Sequence, residues 1–148
     1  MEIERKYLIK QPPQNLSSYA HLEIEQGYLS TEPVLRIRRQ DNDYILTYKS
    51  KGLLEREEYN LPLTKESYDH LKEKTDGILI CKTRYQIPYL EKYTIELDIF
   101  HGHYQGLVLG EVEFASREDA MSFTPPTWFG EEVTFLSKYQ NSSLSKGF

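Results

Sequence analysis

The chain has 148 residues, 39% of them hydrophobic and 28% charged, with a formal net charge of −5. Those values suit one soluble domain spanning residues 1–148, and the acidic balance excludes a broad electrostatic hold on nucleic acid, which needs a basic surface. No apolar run is long enough for a membrane span, and the charged residues from Glu2 onward do not form the pattern of a signal peptide.

Residues 1–10 alternate. Glu2, Glu4 and Lys6 fall on one face of a strand, with Ile3, Tyr7 and Ile9 on the other and Arg5 the exception on the apolar side. Residues 11–18, with a Pro-Pro pair, read as a connection. Strands are expected over residues 22–29 and 34–39; in the latter, Val34, Arg36 and Arg38 alternate with Leu35 and Ile37. Asp41-Asn42-Asp43 signals a turn into a hairpin partner at residues 44–50, and residues 55–63 make a fifth strand. The spacing then predicts a helix over residues 64–75, capped by Thr64 and stopped by Asp76-Gly77. Strands follow at 78–88, with Lys82 and Arg84 on one face, and at 91–100, where Lys92, Thr94, Glu96 and Asp98 alternate with Tyr93, Ile95, Leu97 and Ile99. The eighth strand, residues 107–114, shows Glu111 and Glu113 on one side; a short capped helix over 116–123 and a less regular tail from residue 128 complete the chain. Eight short strands joined mostly by hairpins suggest an antiparallel meander closing towards a barrel.

A charged strand face has an ordinary explanation, since antiparallel sheets often leave one face in water. Two like charges about 6.6 Å apart on one strand repel by roughly 0.6 kcal/mol in bulk water, but by about 2.5 kcal/mol at an effective dielectric near 20. A solvated face therefore costs little, whereas an enclosed one needs counterions. Here the charges recur: Glu2, Glu4, Asp98, Glu111 and Glu113 lie on three strands, and Lys6, Arg36, Arg38, Lys49, Lys82 and Arg84 on several, each facing away from apolar neighbours. If the sheet closes with these faces inward, the carboxylates suit a hard cation and the arginine forks suit phosphate oxygens. His101 and His103 sit in a Gly-bearing loop and read as ordinary surface residues. Lone Cys81 reads as a small buried hydrophobe, and it points to a reducing cytoplasm. No glycine-rich phosphate loop is present, so any phosphate would be held by side chains.

Glu2-Ile3-Glu4-Arg5-Lys6 resembles the E-x-E-x-K signature of the CYTH superfamily, the triphosphate tunnel metalloenzymes. The resemblance continues through Glu25-Gln26-Gly27-Tyr28-Leu29, Leu35-Arg36-Ile37-Arg38, Thr47-Tyr48-Lys49, Arg56-Glu57-Glu58, Lys82-Thr83-Arg84, Glu96-Leu97-Asp98, Glu111-Val112-Glu113 and Lys138-Tyr139-Gln140-Asn141. It implies a mainly β fold: an eight-stranded antiparallel closed barrel forming a tunnel, with a few short helices outside. It implies metal ligation of Mg²⁺ or Mn²⁺ by Glu2, Glu4, Asp98, Glu111 and Glu113. Lys6, Arg36, Arg38, Lys49, Lys82, Arg84 and Lys138 would bind phosphate oxygens, with Glu57 orienting a neighbouring cation. Glu4, Tyr28 and Lys82 would act in catalysis, the last two as a Tyr–Lys pair at the attacking water.

The activity this resemblance implies is a bacterial-type inorganic triphosphatase: a hydrolase of tripolyphosphate, with nucleoside triphosphates or longer polyphosphate as further substrates. Such an enzyme would work as a monomer or homodimer on a small-molecule triphosphate, without nucleic acid or membrane. The alternatives are a class IV-type adenylyl cyclase, a thiamine triphosphatase or a non-catalytic polyphosphate-binding module. Cyclase-type members carry a His-Phe ahead of the signature, for which a signature starting at Glu2 leaves no room. A thiamine triphosphatase needs a ring pocket, and a non-catalytic module would be expected to lack the metal carboxylates.

Overall fold

Alternation of charged and apolar side chains produces strands with two incompatible faces, and the chain resolves the conflict by rolling them into a nearly closed barrel. The computed structural model describes residues 2–52 and 54–147; residues 1, 53 and 148 lie outside that description. The strands are β1 (Glu2–Ile9), β2 (Ala20–Thr31), β3 (Val34–Gln40), β4 (Asp43–Lys49), β5 (Glu55–Arg56), β6 (Glu58–Pro62), β7 (Asp76–Tyr89), β8 (Tyr93–His101), β9 (Val108–Glu113) and β10 (Phe129–Glu132). Three short helices lie between and after them: α1 (Lys65–Lys72), α2 (Arg117–Ser122) and α3 (Asn141–Leu144).

Neighbouring strands run antiparallel in the order β10-β1-β9-β8-β7-β2-β3-β4-β6, and β5 returns to β1. The circuit therefore closes where Glu2 faces Arg56 and Ile3 faces Glu55. The segment expected as one strand over residues 55–63 is split at Glu57. Its first part leaves the β4 side to join β1, while Ser50 N donates to the Glu57 carbonyl (3.0 Å) and Glu57 N donates to Ser50 Oγ (2.8 Å). The break lets one segment serve two partners.

The strands do not form the expected simple meander, because β1 pairs with β9 and β2 with β7 instead of β1 with β2. Other departures from the expected elements are local. Asp76-Gly77 does not terminate α1 but already belongs to β7, because the helix ends at Lys72. The tail gains order as β10, a 3₁₀ turn (Ser137–Tyr139) and α3. The expected N-caps are present: Ser67 N donates to Thr64 Oγ1 (3.0 Å) and Asp119 N to Ser116 Oγ (3.1 Å).

The apolar faces point outward and are covered. Ile3, Tyr7, Ile95, Leu97 and Val112 pack with Phe114, Ala120 and Phe123, so α2 and the segment leading to β10 roof this side of the wall. Arg5, the exception on that face, is bound by Glu132 (Nε–Oε2 2.9 Å) and the Ala120 carbonyl (2.7 Å), which ties β10 and α2 to β1. At one end the inward positions themselves turn apolar. Tyr28, Ile80, Phe100 and Leu109 pack against Val133 and Leu144 from the C-terminal segment, filling that end of the barrel. Gly77 is required by this packing: it sits at φ +72, and a Cβ there would lie 2.1 Å from the Ser145 carbonyl oxygen. Among the described residues no helix is long and apolar enough to cross a membrane.

Candidate active site

Above the apolar plug the lumen is a cavity of about 270 Å³ lined almost wholly by polar and charged side chains. Its carboxylates are Glu2, Glu4, Glu58, Glu96, Glu111 and Glu113; its cations are Lys6, Arg36, Arg38, Lys49, Arg56 and Arg84. Among the described residues Ile45 is the one apolar contributor, and no aromatic side chain lines this wide part of the lumen. The strand parity read from the sequence thus points inward for Glu2/Glu4/Lys6, Arg36/Arg38, Arg84 and Glu111/Glu113, because period-two alternation survives regular pairing.

Most of the cations are neutralised locally. Lys49 Nζ donates to Glu2 (3.2 Å) and sits 3.2 Å from Glu58. Arg56 Nε donates to Glu2 (3.2 Å) and its fork reaches Glu4 at 3.9 Å. Lys6 Nζ donates to the Tyr139 carbonyl (3.0 Å) and lies 3.5 Å from Glu111. Arg36 and Arg38 differ. They are 5% and 6% exposed, and among the described residues neither meets a carboxylate. Arg38 is held by Gln26 (2.8 Å) and Gln40 (3.2 Å), and Arg36 by Thr47 (3.3 Å). Burial, together with Arg36 and Arg84 nearby, pushes the Arg38 guanidinium down to about 9. Two buried, adjacent guanidiniums without counterions form a site that calls for an anion.

Across the circuit, Glu4 on β1 lies opposite Glu113 on β9, and Lys6 opposite Glu111. Burial, with Glu111 and Glu2 close by, pushes the Glu4 carboxyl up to about 8. Burial also raises Glu113, with Glu2 and Glu96 adding to the effect. Burial alone would raise Glu111, but Lys6, Arg84 and Lys82 outweigh it and hold that carboxyl well below its ordinary range. Opposed carboxylates whose ionisation is disfavoured are a donor set suited to a hard divalent cation. Among the described residues no three acidic, histidine or cysteine side chains converge closely enough to enclose an ion alone. A cation here would complete its shell with water and phosphate oxygens, as Mg²⁺ commonly does.

Four expectations change. Asp98 does not line the cavity: it is 0% exposed and saturated by Arg84 (Nε–Oδ1 2.7 Å, Nη2–Oδ2 2.9 Å), with Lys82 Nζ 2.7 Å away. It is a brace beneath Arg84. Lys82 is 1% exposed and likewise off the cavity; burial depresses its ammonium to about 7 even though Asp98 opposes that shift. Its contact with Asp98 lacks hydrogen-bond geometry, so it is one of charge. Glu57 is exposed on the outer side of the strand break, accepting from Tyr59 (3.3 Å), and its neighbours Arg56 and Glu58 point inward instead. Lys138 is exposed on the 3₁₀ turn with its ammonium 5.4 Å from the Tyr139 ring, and Asn141 reaches the cavity in its place.

The expected Tyr28–Lys82 pair is not assembled either. Lys82 faces Ile24 in the ladder, four residues and thus about 13 Å along β2 from Tyr28. Tyr28 instead shares the narrow end of the lumen with Lys49 and Arg36. His101 is engaged outside the cavity, Nε2 lying 2.7 Å from Thr83 Oγ1, and Cys81 is a partly buried free thiol. Sequence reading passed over Arg56, Glu58, Glu96 and Asn141. Period two flags the first three once the phase of each strand is known; Asn141 stands in the matching Lys138-Tyr139-Gln140-Asn141 motif, but no period in the irregular tail gives its direction.

Residues 1–146 match the CYTH domain family. The inorganic triphosphatase of Nitrosomonas europaea is 40% identical over 147 residues, covering 97% of this chain and 96% of that protein. The inorganic triphosphatase of Acetivibrio thermocellus is 34% identical over 152 residues, covering 98% and 93%. The crystal structure of the inorganic triphosphatase NE1496 superposes with a TM-score of 0.75 at 37% identity, covering 100% of this chain and 96% of that one. The Hippeastrum protein HpAC1 shares the fold at 16% identity, with a TM-score of 0.64 over 82% and 83% of the two chains. The inward-facing signature on β1, the charged lumen and the full-length similarity agree: this chain belongs to the CYTH family.

Proposed function

We propose that the protein is a metal-dependent phosphohydrolase that cleaves the terminal phosphate of inorganic triphosphate, the activity for which its curated relatives are named. The observation that carries this reading is the pair of buried guanidiniums on β3 that, among the described residues, lack carboxylate partners and face a wall of carboxylates. Arg36 and Arg38 grip phosphate oxygens with their planar forks, while Lys49, Arg56, Lys6 and Arg84 add positive charge around the chain of phosphoryl groups. Asp98 and Lys82 set the angle of Arg84 from below.

Glu4 and Glu113, with Glu2 and Glu111 beside them, would hold a divalent cation, Mg²⁺ or Mn²⁺, which offsets the charge that develops as the terminal phosphoryl group transfers. Water attacks the terminal phosphorus and the bond to the bridging oxygen breaks, leaving orthophosphate and pyrophosphate. The wall excludes bulk solvent, which strengthens each of these interactions. Tyr28 and Lys49 border the narrow end of the lumen, where a water can approach. The single cysteine accords with a cytoplasmic setting, and one domain carries the whole activity.

The lining also favours an inorganic substrate over nucleotide or thiamine esters. Among the described residues no aromatic side chain lines the wide part of the cavity, so it offers no surface on which a base or thiazolium ring would stack; Tyr28 borders only the narrow end, and Trp128 packs outside against Phe129. The test incubates the protein with Mg²⁺ or Mn²⁺ and tripolyphosphate, ATP or thiamine triphosphate, and resolves the products. Orthophosphate released fastest from tripolyphosphate, and lost in Arg36→Ala and Arg38→Ala, is the expected result. Cyclic AMP from ATP, or turnover unchanged in both variants, refutes it.

A further inference from the structure

Where the lumen meets the apolar plug it narrows to a neck of about 10 Å³ bordered by Tyr28, Val34, Arg36, Lys49, Arg56 and Asn141. Two polar atoms of these residues, Arg36 Nε and Asn141 Oδ1, are buried and meet no hydrogen-bonding partner among the described residues. Buried polar groups are nearly always satisfied, and a charged N–H left without an acceptor is costly. The two atoms are complementary in kind: one donates and the other accepts. A single water answers both, its oxygen accepting from Nε–H and one of its hydrogens going to Oδ1. The size agrees, since roughly 10–15 Å³ is the space one water needs, and a phosphate group is far too large. The setting is polar as well, because Tyr28 and Lys49 border the same neck.

We infer that Arg36 Nε and Asn141 Oδ1 share one ordered water in this neck, and that Asn141 is thereby a positioning residue for the Arg36 fork. The other hydrogen bond of Arg36 among the described residues is the long one to Thr47 (3.3 Å), so the orientation of its guanidinium depends on what holds Nε. With Nε anchored toward the neck, the remaining N–H groups are presented to the cavity. Asn141 opens α3, whose Leu144 is buried in the apolar plug. The C-terminal segment is in this way wired to the anion site through Arg36. The positioning role rests on the reading of Arg36 as a phosphate-binding group; the water does not.

Two measurements test the inference. A high-resolution crystal structure of the unliganded protein should show a water peak within hydrogen-bonding distance of both atoms; an empty neck, or Nε bonded directly to a protein acceptor, overturns it. In steady-state kinetics, Asn141→Leu should raise the KM for tripolyphosphate about three- to tenfold with kcat within about twofold, while Asn141→Ser, which keeps a neutral oxygen acceptor and leaves room for a second water, should bring the KM back towards the wild-type value. Melting temperatures show that each variant is folded, and if Asn141→Leu fails to fold, the wild-type density decides. An unchanged KM in a folded Asn141→Leu refutes the positioning role. Should the wild-type protein leave tripolyphosphate intact, the proposed activity falls, while the density between the two atoms still settles the water.

Discussion

Replacing Asp98 by alanine distinguishes a brace from a metal ligand. In the structure Asp98 is 0% exposed and offsets both Arg84, through two hydrogen bonds of 2.7 and 2.9 Å, and Lys82, at 2.7 Å. Removing one partner from a buried ion pair costs about 3–5 kcal/mol, because the remaining charge is left uncompensated. For a chain of this size each kcal/mol lowers Tm by about 2–4 °C, so Asp98→Ala should melt about 6–20 °C below wild type. The loss should appear with a chelator present, since it owes nothing to a cation. Part of it should return in Asp98→Ala/Lys82→Met, which removes one of the orphaned charges; a coupling of about 0.5–3 kcal/mol is expected for residues in contact. Urea and thermal unfolding without metal, and a titration of divalent cation into each variant, measure the two quantities separately. If metal-free stability stays within about 0.5 kcal/mol of wild type, the usual range for a substitution away from such features, and cation affinity collapses, Asp98 is a ligand and the brace is wrong.

The pH dependence of the metal-free protein follows from Glu4. Its carboxyl ionises at about 8 in the folded state against 4.5 ordinarily, so between those values the folded chain binds the extra proton and stability declines as pH rises. Urea midpoints from pH 5 to 8 with chelator should fall, and Glu4→Gln should flatten that slope; a slope unchanged in the variant refutes the assignment. On the split segment, Glu58→Ala should cut tripolyphosphate turnover by about tenfold or more through loss of the Lys49 contact, equivalent to roughly 1.4 kcal/mol or more, whereas Glu57→Ala and Lys138→Ala should leave it nearly unchanged. Phosphate-release assays on the three variants check this, and the reverse order would restore Glu57 to the lumen.

Alternation alone determined most of the inward set. Glu2, Glu4 and Lys6, Arg36 and Arg38, and Glu111 and Glu113 are legible because side chains in a strand alternate whatever its partners are; the order of the strands was not, since the expected meander would pair β1 with β2, whereas β1 pairs with β9 and β2 with β7. The phase of residues 55–63 was not legible, because a strand break at Glu57 depends on which partner each half finds: β4 for the second half, and for the first half β1, where Arg56 meets Glu2 from the start of the chain. Nor could sequence separate Glu96, which faces the cavity, from Asp98, two residues along the same face but beneath it. Depth in the barrel is set by register with β7 and by the two cations that β7 sends to Asp98. Asn141 and the closed end were decided by tertiary structure only. An irregular tail has no period to betray its direction, and its position follows from apolar residues such as Val133 and Leu144 finding the inward-facing Phe100 and Leu109.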